Sequence, residues 1–165
     1  LVKKTIIEKS KGNCTSLSLD LFDQWQSMEK NAQWRFTPPT HVLAAFYQSL
    51  KEHKNEGGIN GRYQRYIKNC NIICQGMKKI GFKQLLPDHL QAPIIITFQQ
   101  PEDPKFDFNQ FYDCLSEKGF LIYPGKLTIA NTFRIGCIGS LTSNDMYDTI
   151  KAVEKTIKEL KIQLK

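Results

Sequence analysis

A long stretch of helical periodicity in the middle of the chain constrains the fold most strongly. Between residues 59 and 80, apolar side chains recur at steps of three and four, which places them on one face of a helix. They are Ile59, Tyr63, Tyr66, Ile67, Cys70, Ile73, Cys74, Met77 and Ile80. A glycine pair, Gly57 and Gly58, precedes this segment and Gly81 follows it, and glycine often ends helices. The spacing therefore predicts one long amphipathic helix between these glycines.

After this helix, strand and helix patterns alternate. Apolar runs of strand length lie at 94–98, 120–123 and 133–138. Between the first two runs, aromatic residues from Phe108 onward predict a short helix that Gly119 closes. Thr142 and Asp145 have the spacing of a capping box, and a last amphipathic helix follows them. This order predicts an α/β chain whose main part is a small α+β domain, with a mixed or antiparallel sheet and helices packed on one face.

The region before the glycine pair carries weaker patterns. Residues 16–21 alternate between polar and apolar side chains, which predicts a short strand. The polar segment 23–30 is expected to be irregular or to form one helical turn. Thr37 is expected to cap a helix that starts at Pro38 and ends near Lys54. The glycine pair after that helix is the predicted domain boundary, so the chain divides into residues 1–56 and 57–165.

Composition excludes several classes of protein. The net charge of +7 comes from 23 Lys and Arg against 16 Asp and Glu, but these cations are spread along the chain. They form no basic run interleaved with aromatic residues, so we expect solvated helix faces and no nucleic-acid partner. No stretch approaches the roughly 20 apolar residues that span a bilayer, so no membrane contact is expected. Five cysteines without a CxxC pair favour buried free thiols in the cytoplasm over disulfides or a metal site.

The Thr37-Pro38-Pro39 segment is the first candidate binding site. The N-terminus of a helix carries unpaired N–H groups and the positive end of the helix dipole, which together suit a phosphate. The hydroxyl of Thr37 would add one more donor. The simpler interpretation, on spacing alone, is a plain helix cap.

Arg134 is the second candidate. It interrupts the apolar run FRIGCIG, residues 133–139, and a guanidinium in such surroundings is costly unless it meets an anion. Its planar donors match a carboxylate or a phosphonate through two parallel hydrogen bonds. A structural ion pair explains the same pattern equally well from physics alone.

Lys126, in the turn after residues 120–123, is a candidate for a lysine that forms a Schiff base. Such a lysine must be desolvated, because desolvation lowers its pKa. A lysine beside a Pro-Gly turn is more often exposed, so Lys126 is not chosen.

Several segments, in chain order, resemble the 2-aminoethylphosphonate–pyruvate transaminases, a family of class V, fold-type-I enzymes that depend on pyridoxal 5'-phosphate (PLP). They are Gly12-Asn13, SLSLDLFDQW, WRFTPPTH, GRYQRY, APIIITF, PEDPKF, GFLIYPGK and FRIGCIG. FRIG and the Thr-Pro pair are shared with the alanine–glyoxylate aminotransferases. SLSLDLFDQW and YPGK point to the phosphonate branch.

The resemblance implies a homodimeric enzyme of phosphonate degradation, which passes the amino group of 2-aminoethylphosphonate to pyruvate and gives phosphonoacetaldehyde and L-alanine. Arg134 would bind the anionic group of the substrate, and Thr37 would reach the PLP phosphate of the neighbouring subunit. Residues 1–56 would be the tail of the large PLP-binding domain. Residues 57–165 would be the small C-terminal domain.

The same resemblance places no catalytic residue in this chain. In the family, the Schiff-base lysine, the aspartate that pairs with the pyridine nitrogen and the aromatic that stacks on the ring all come earlier than the matched segments. The chain alone is therefore expected to be inactive, as the C-terminal part of an aminotransferase. Two alternatives stay open: another class V aminotransferase that uses glyoxylate or serine, and a non-catalytic dimerisation or binding module.

Overall fold

The computed structural model describes residues 1–125 and 130–164. The chain divides into two compact units, Leu1–Glu52 and His53–Lys165. The domain roles assigned to residues 1–56 and 57–165 stay predictions. Lys126 lies outside the described residues.

The first unit is helical and differs from the sequence expectation. It contains helix α1, Lys4–Lys9, helix α2, Leu21–Asn31, and most of helix α3, Thr40–Asn55. The strand predicted at 16–21 is wrong, because these residues form a turn in which the Ser16 hydroxyl accepts a hydrogen bond from the Leu19 N–H at 3.3 Å. Such local side-chain bonds compete with strand pairing.

The segment predicted to be irregular is also regular, because it forms most of α2. Asp20 caps this helix, and its carboxylate accepts from the Asp23 N–H at 3.1 Å. Phe22 is the one residue that the helix buries. The Asp20 cap and one buried apolar residue, Phe22, stabilise this helix. Neither feature produces a helical periodicity of apolar residues that the sequence could reveal.

Helix α3 starts later than the sequence predicts. It begins at Thr40, and the Leu43 N–H donates to the Pro39 carbonyl at 3.0 Å. Thr37 is therefore not its cap. The second proline gives a physical reason: the helical region is disfavoured for a residue that precedes proline, and this opposes a helix that starts at Pro38. The predicted end near Lys54 is confirmed within one residue, at Asn55.

The second unit has the predicted order of elements. Helix α4, Gly58–Ile80, is followed by strand β1, Ile95–Gln99, helix α5, Phe108–Glu117, strands β2, Tyr123–Pro124, and β3, Thr132–Gly136, and helix α6, Ser143–Glu159; a short 3-10 turn, Asp88–Leu90, precedes β1. Gly81 ends α4 with φ of 115°, and the Thr142–Asp145 capping box starts α6. No helix within the described ranges is both long enough and apolar enough to cross a membrane.

The sheet is antiparallel, with the three strands in the order β1-β3-β2. Strand β2 is shorter than the predicted 120–123 and includes only Tyr123 and Pro124. Two constraints shorten it. The Phe120 N–H is already bonded to the Leu115 carbonyl at the end of α5, at 2.9 Å, and Pro124 has no N–H to offer a neighbouring strand.

The helices of the second unit pack on one face of this sheet, as predicted. The buried strand residues are Ile96, Phe98, Phe133 and Ile135, and they share one core with Ile73 and Met77 of α4, Phe111 and Leu115 of α5, and Met146 and Val153 of α6. Phe133 is fully buried, and its ring lies 5.3 to 6.5 Å from five other phenylalanine rings. The core of the unit is thus centred on β3.

Candidate anion-binding sites

Arg134 lies in the central strand, on the face of the sheet opposite to the core. Its neighbours Phe133 and Ile135 are buried, whereas Arg134 is only half-buried. Arg134 is paired with Thr97 of β1 and Tyr123 of β2, and directly paired residues point to the same face. The sequence expectation that Arg134 interrupts a buried strand therefore needs correction: from Phe133 to Gly136 buried and half-buried residues alternate, and Arg134 is one of the half-buried residues.

The guanidinium of Arg134 is held at one edge. Its Nε donates to the Pro124 carbonyl at 3.2 Å. Within residues 1–125 and 130–164, no carboxylate lies within 4.0 Å of it, and residues 126–129 are Lys-Leu-Thr-Ile. The structural ion pair that the sequence left open is therefore not found in the described part of the chain. The geometry suits an arginine that is oriented by the main chain and presents its other edge to an anion.

The sequence did not identify the two neighbours of Arg134, Thr97 and Tyr123. Thr97 is half-buried and Tyr123 is 55% exposed. A Cβ at Gly136 would lie 4.0 Å from the Tyr123 ring, at ordinary van der Waals distance, so Gly136 lies beside that ring. No signal in the chain indicates this row of side chains, because it depends on strand register, which local patterns do not reveal.

Thr37 lies in the first unit, three residues before the start of α3, and its side chain is exposed. Since it does not cap the helix, its hydroxyl is not engaged there, and it makes no hydrogen bond to any residue that the structure describes. The plain-cap interpretation of Thr37 is therefore wrong. Thr37 and Arg134 belong to different units.

The described lysines do not suit a Schiff base. All of them are exposed except Lys118, which is half-buried and bonded to Glu159 at 2.7 Å. Lys118 Nζ donates this bond to the Glu159 carboxylate, which raises the pKa of Lys118. A Schiff-base lysine needs the opposite shift.

Three thiols, those of Cys70, Cys74 and Cys137, lie close together near the end of β3. Cys70 and Cys74 share a face of α4, as predicted, with their sulfurs 3.9 Å apart. Hydrogen bonding to Cys70, together with burial, raises the pKa of the Cys74 and Cys137 thiols, which keeps them protonated at neutral pH. All five cysteines are free, but Cys14 is exposed, contrary to the expectation of buried thiols. Among the described residues, no group of three or more His, Cys, Asp or Glu side chains is arranged so that it could hold a metal ion.

A carboxylate that the sequence did not single out organises the start of α4. Glu56 receives Arg65 Nε on one oxygen, at 2.5 Å, and Arg62 Nε on the other, at 2.8 Å. Hydrogen bonds from Arg65 and then Arg62 lower the pKa of Glu56 from 4.5 to about 2. The same contact with Glu56 raises the pKa of Arg65.

This shift predicts a pH dependence of stability. A depressed carboxylate pKa stabilises the folded state above the unfolded pKa of 4.5, and that contribution is lost as the pH falls from 4.5 towards 2. We expect Glu56→Gln to flatten the dependence of the urea midpoint on pH across this window. Glu154→Gln, which removes only an exposed i,i+4 pair with Lys158, is the control and should keep the slope of the unmodified protein. An unchanged slope for Glu56→Gln would show that the two arginines do not depress this pKa.

Comparison with solved structures defines the class of fold. The chain superposes on ureidoglycine–glyoxylate aminotransferase from Bacillus subtilis with a TM-score of 0.79 and 17% identity, covering 98% of this chain and 42% of that one. It superposes on alanine–glyoxylate aminotransferase from Nostoc sp. with a TM-score of 0.78 and 18% identity, covering 94% and 42%. The fold is therefore that of one part of an aminotransferase.

Comparison with curated sequences is more specific. The chain is 48% identical over 164 residues to 2-aminoethylphosphonate–pyruvate transaminase from Cupriavidus necator, covering 99% of this chain and 44% of the relative. It is 46% identical over 160 residues to the Pseudomonas aeruginosa protein of the same name, covering 97% and 43%. No family model matches the chain. The chain is thus homologous to 2-aminoethylphosphonate–pyruvate transaminases, of which it spans a little under half the length, and the resemblance found in the sequence is confirmed.

Proposed function

We propose that the protein carrying this sequence transfers the amino group of 2-aminoethylphosphonate to pyruvate, giving phosphonoacetaldehyde and L-alanine in phosphonate degradation. The observation that carries the proposal is the 48% identity across 99% of the chain to a transaminase of that name. The glyoxylate-using structural relatives stand at 17% and 18% identity, so they favour the fold without favouring their own substrates. No residue of this chain is given a catalytic role.

Arg134 is the proposed contact for the anionic group of the substrate. That group is the carboxylate of pyruvate in one half-reaction, and the phosphonate takes the same kind of contact in the other. Two features support this role: the side chain lies on the face opposite the core, and Pro124 holds its Nε edge. A planar donor group fixed in direction binds a carboxylate with both geometry and charge.

Thr37 is the proposed contact for the phosphate of PLP, in the neighbouring subunit of a homodimer. Its hydroxyl is exposed and lies just before α3, where the first N–H groups of a helix also suit a phosphate. These residues fit a phosphate, although the hydroxyl is not a helix cap. PLP, when bound, supplies the electron sink that amino-group transfer requires. The homodimer and a cytoplasmic location belong to the same proposal.

The proposal is tested with the complete protein that carries this sequence. L-alanine formation is measured with 2-aminoethylphosphonate and pyruvate. The comparison pairs are 2-aminoethylphosphonate with glyoxylate, for which glycine is measured, and serine with pyruvate, for which L-alanine is measured. We expect the first pair to have the highest kcat/KM. The protein stripped of PLP is the control, and PLP should restore its activity. Higher kcat/KM with glyoxylate or serine would transfer the assignment to another class V aminotransferase, and no transfer with any pair would leave a binding module.

A further inference from the structure

Side chains of α4 form hydrogen bonds to the main chain that follows β3. Arg65 Nη1 donates to the Gly139 carbonyl at 2.6 Å and to the Leu141 carbonyl at 2.9 Å. Asn69 Nδ2 donates to the Leu141 carbonyl at 3.0 Å and to the Cys137 carbonyl at 3.4 Å. The Gly139 N–H donates to the Tyr66 hydroxyl at 3.3 Å. Three helix residues thus bind four main-chain groups of residues 137–141.

These contacts occur where regular structure offers no partners. The segment lies between β3 and α6, and Gly139 adopts a φ of 90° there. Main-chain groups outside ladders and helices need other hydrogen-bond partners, and a fixed set of partners fixes the path of the chain. Asn69 is fully buried, so its hydrogen bonds to the Cys137 and Leu141 carbonyls are shielded from water.

Arg65 is itself held in one orientation. Its Nε is bonded to Glu56, while its Nη1 serves the two carbonyls. Two nitrogens of the planar guanidinium are therefore bonded. Arg65 links Glu56, just before α4, to the main chain that follows β3. A lysine offers a point charge on a flexible stem and does not reproduce this arrangement.

Residues 137–141, which these side chains bind, follow closely after Arg134, the proposed substrate contact. Cys137 is three residues after Arg134, and its N–H donates to the Ile94 carbonyl at 3.0 Å. The end of β3 is therefore tied both to the residue before β1 and, through Asn69, to α4. A strand held at its exit has a fixed tilt and twist, and these set the direction in which Arg134 points. Small displacements of a substrate-positioning group have large kinetic effects.

We propose that Arg65 is a positioning residue for the substrate site: together with Tyr66 and Asn69, it fixes the exit of β3 and thereby the direction of the Arg134 guanidinium. This inference rests on the proposed function, since it takes Arg134 as the contact for the substrate anion. Arg65 does not touch the substrate and acts only through β3. Its effect therefore falls on the binding of the keto acid and of the phosphonate.

The test compares Arg65→Lys with Arg62→Lys in the complete, PLP-loaded protein. Both arginines bind Glu56, but of these two only Arg65 also binds residues 137–141. We expect Arg65→Lys to raise KM for pyruvate about 10-fold while kcat changes less than about 2-fold, because binding geometry is lost and the chemistry is not. Arg62→Lys should leave KM unchanged. Tyr66→Phe, which removes one hydroxyl, should raise KM to a smaller extent and serves as the test if Arg65→Lys does not fold.

A double-mutant cycle separates positioning from general stability. If Arg65 acts through Arg134, Arg65→Lys should add no further rise in KM in an Arg134→Lys background. Additive effects, or a lower melting temperature with an unchanged KM, would reduce Arg65 to a structural role and overturn the inference. If Arg134→Lys raises KM and Arg65→Lys does not, only the positioning role fails. If Arg134→Lys itself leaves KM unchanged, the proposed substrate contact fails and the positioning role falls with it.

Discussion

Arg134→Ala in the complete protein is expected to raise KM for pyruvate by roughly 30- to 4,000-fold, which corresponds to about 2–5 kcal/mol for a lost charged contact. The reason is that the guanidinium edge not held by Pro124 is the proposed partner of the substrate anion. Steady-state kinetics at varied pyruvate and saturating amino donor measure this effect. The same substitution should also raise KM for 2-aminoethylphosphonate.

The size of the effect is meaningful only if the fold is intact. Arg134 lies on the face opposite the core, so Arg134→Ala is expected to change the melting temperature little. Arg134→Lys keeps the charge without the planar pair of donors, and its KM should lie between those of the unmodified protein and the alanine variant. A KM for pyruvate that is unchanged in Arg134→Ala would remove Arg134 from the substrate site.

The second large effect concerns stability. Phe133→Ala is expected to lower the free energy of unfolding by about 3–5 kcal/mol, the range for a fully buried phenylalanine that leaves a cavity. Phe133 is completely buried and packs against the rings of five other phenylalanines, which are Phe82, Phe98, Phe106, Phe108 and Phe111. Thermal and urea unfolding of the complete protein, followed by circular dichroism, measure the loss.

Two further variants calibrate this loss. Phe133→Leu retains part of the apolar volume, so its destabilisation should be clearly smaller than that of Phe133→Ala. Tyr147→Ala removes a side chain that is 52% exposed on α6, and a surface change of this kind should stay within about 0.5 kcal/mol. Equal losses for Phe133→Ala and Tyr147→Ala would mean that the core is not centred on β3.

The sequence was sufficient wherever the fold depends on local signals. Helix α4 has its apolar stripe between glycines, and both of its ends were predicted within one or two residues. Helix α6 begins at a capping box, Thr142 and Asp145, that is legible from spacing alone. The order of these elements predicted a mixed or antiparallel sheet with helices on one face, and the structure has the antiparallel form.

The sequence failed where one local preference overrides another. Thr37 followed by a proline looks like the start of a helix, but the second proline disfavours a helical conformation at Pro38, and α3 begins at Thr40. The alternation at residues 16–21 looks like a strand, yet the Ser16 hydroxyl closes a turn. Both outcomes depend on competition between neighbouring residues, which periodicity does not capture.

The candidate site was accessible only in part. An arginine inside an apolar run identified Arg134, but its row with Thr97 and Tyr123 depends on the pairing of strands far apart in sequence. The same holds for Arg65, whose carbonyl partners Gly139 and Leu141 lie 74 and 76 residues away along the chain. Such contacts depend on the three-dimensional path of the chain, so no local sequence motif predicts them.

The two faces of the sheet have different consequences for evolution. Phe133 and Ile135 face the core, whereas Thr97, Arg134 and Tyr123 form a row on the other side. Side chains in this row can change without filling or emptying the core, so substitutions there carry little penalty in stability. If this row binds the substrate anion, as proposed for Arg134, a lineage with this fold can exchange one anionic substrate for another through a few replacements in the row, while the aromatic core continues to select for the same fold.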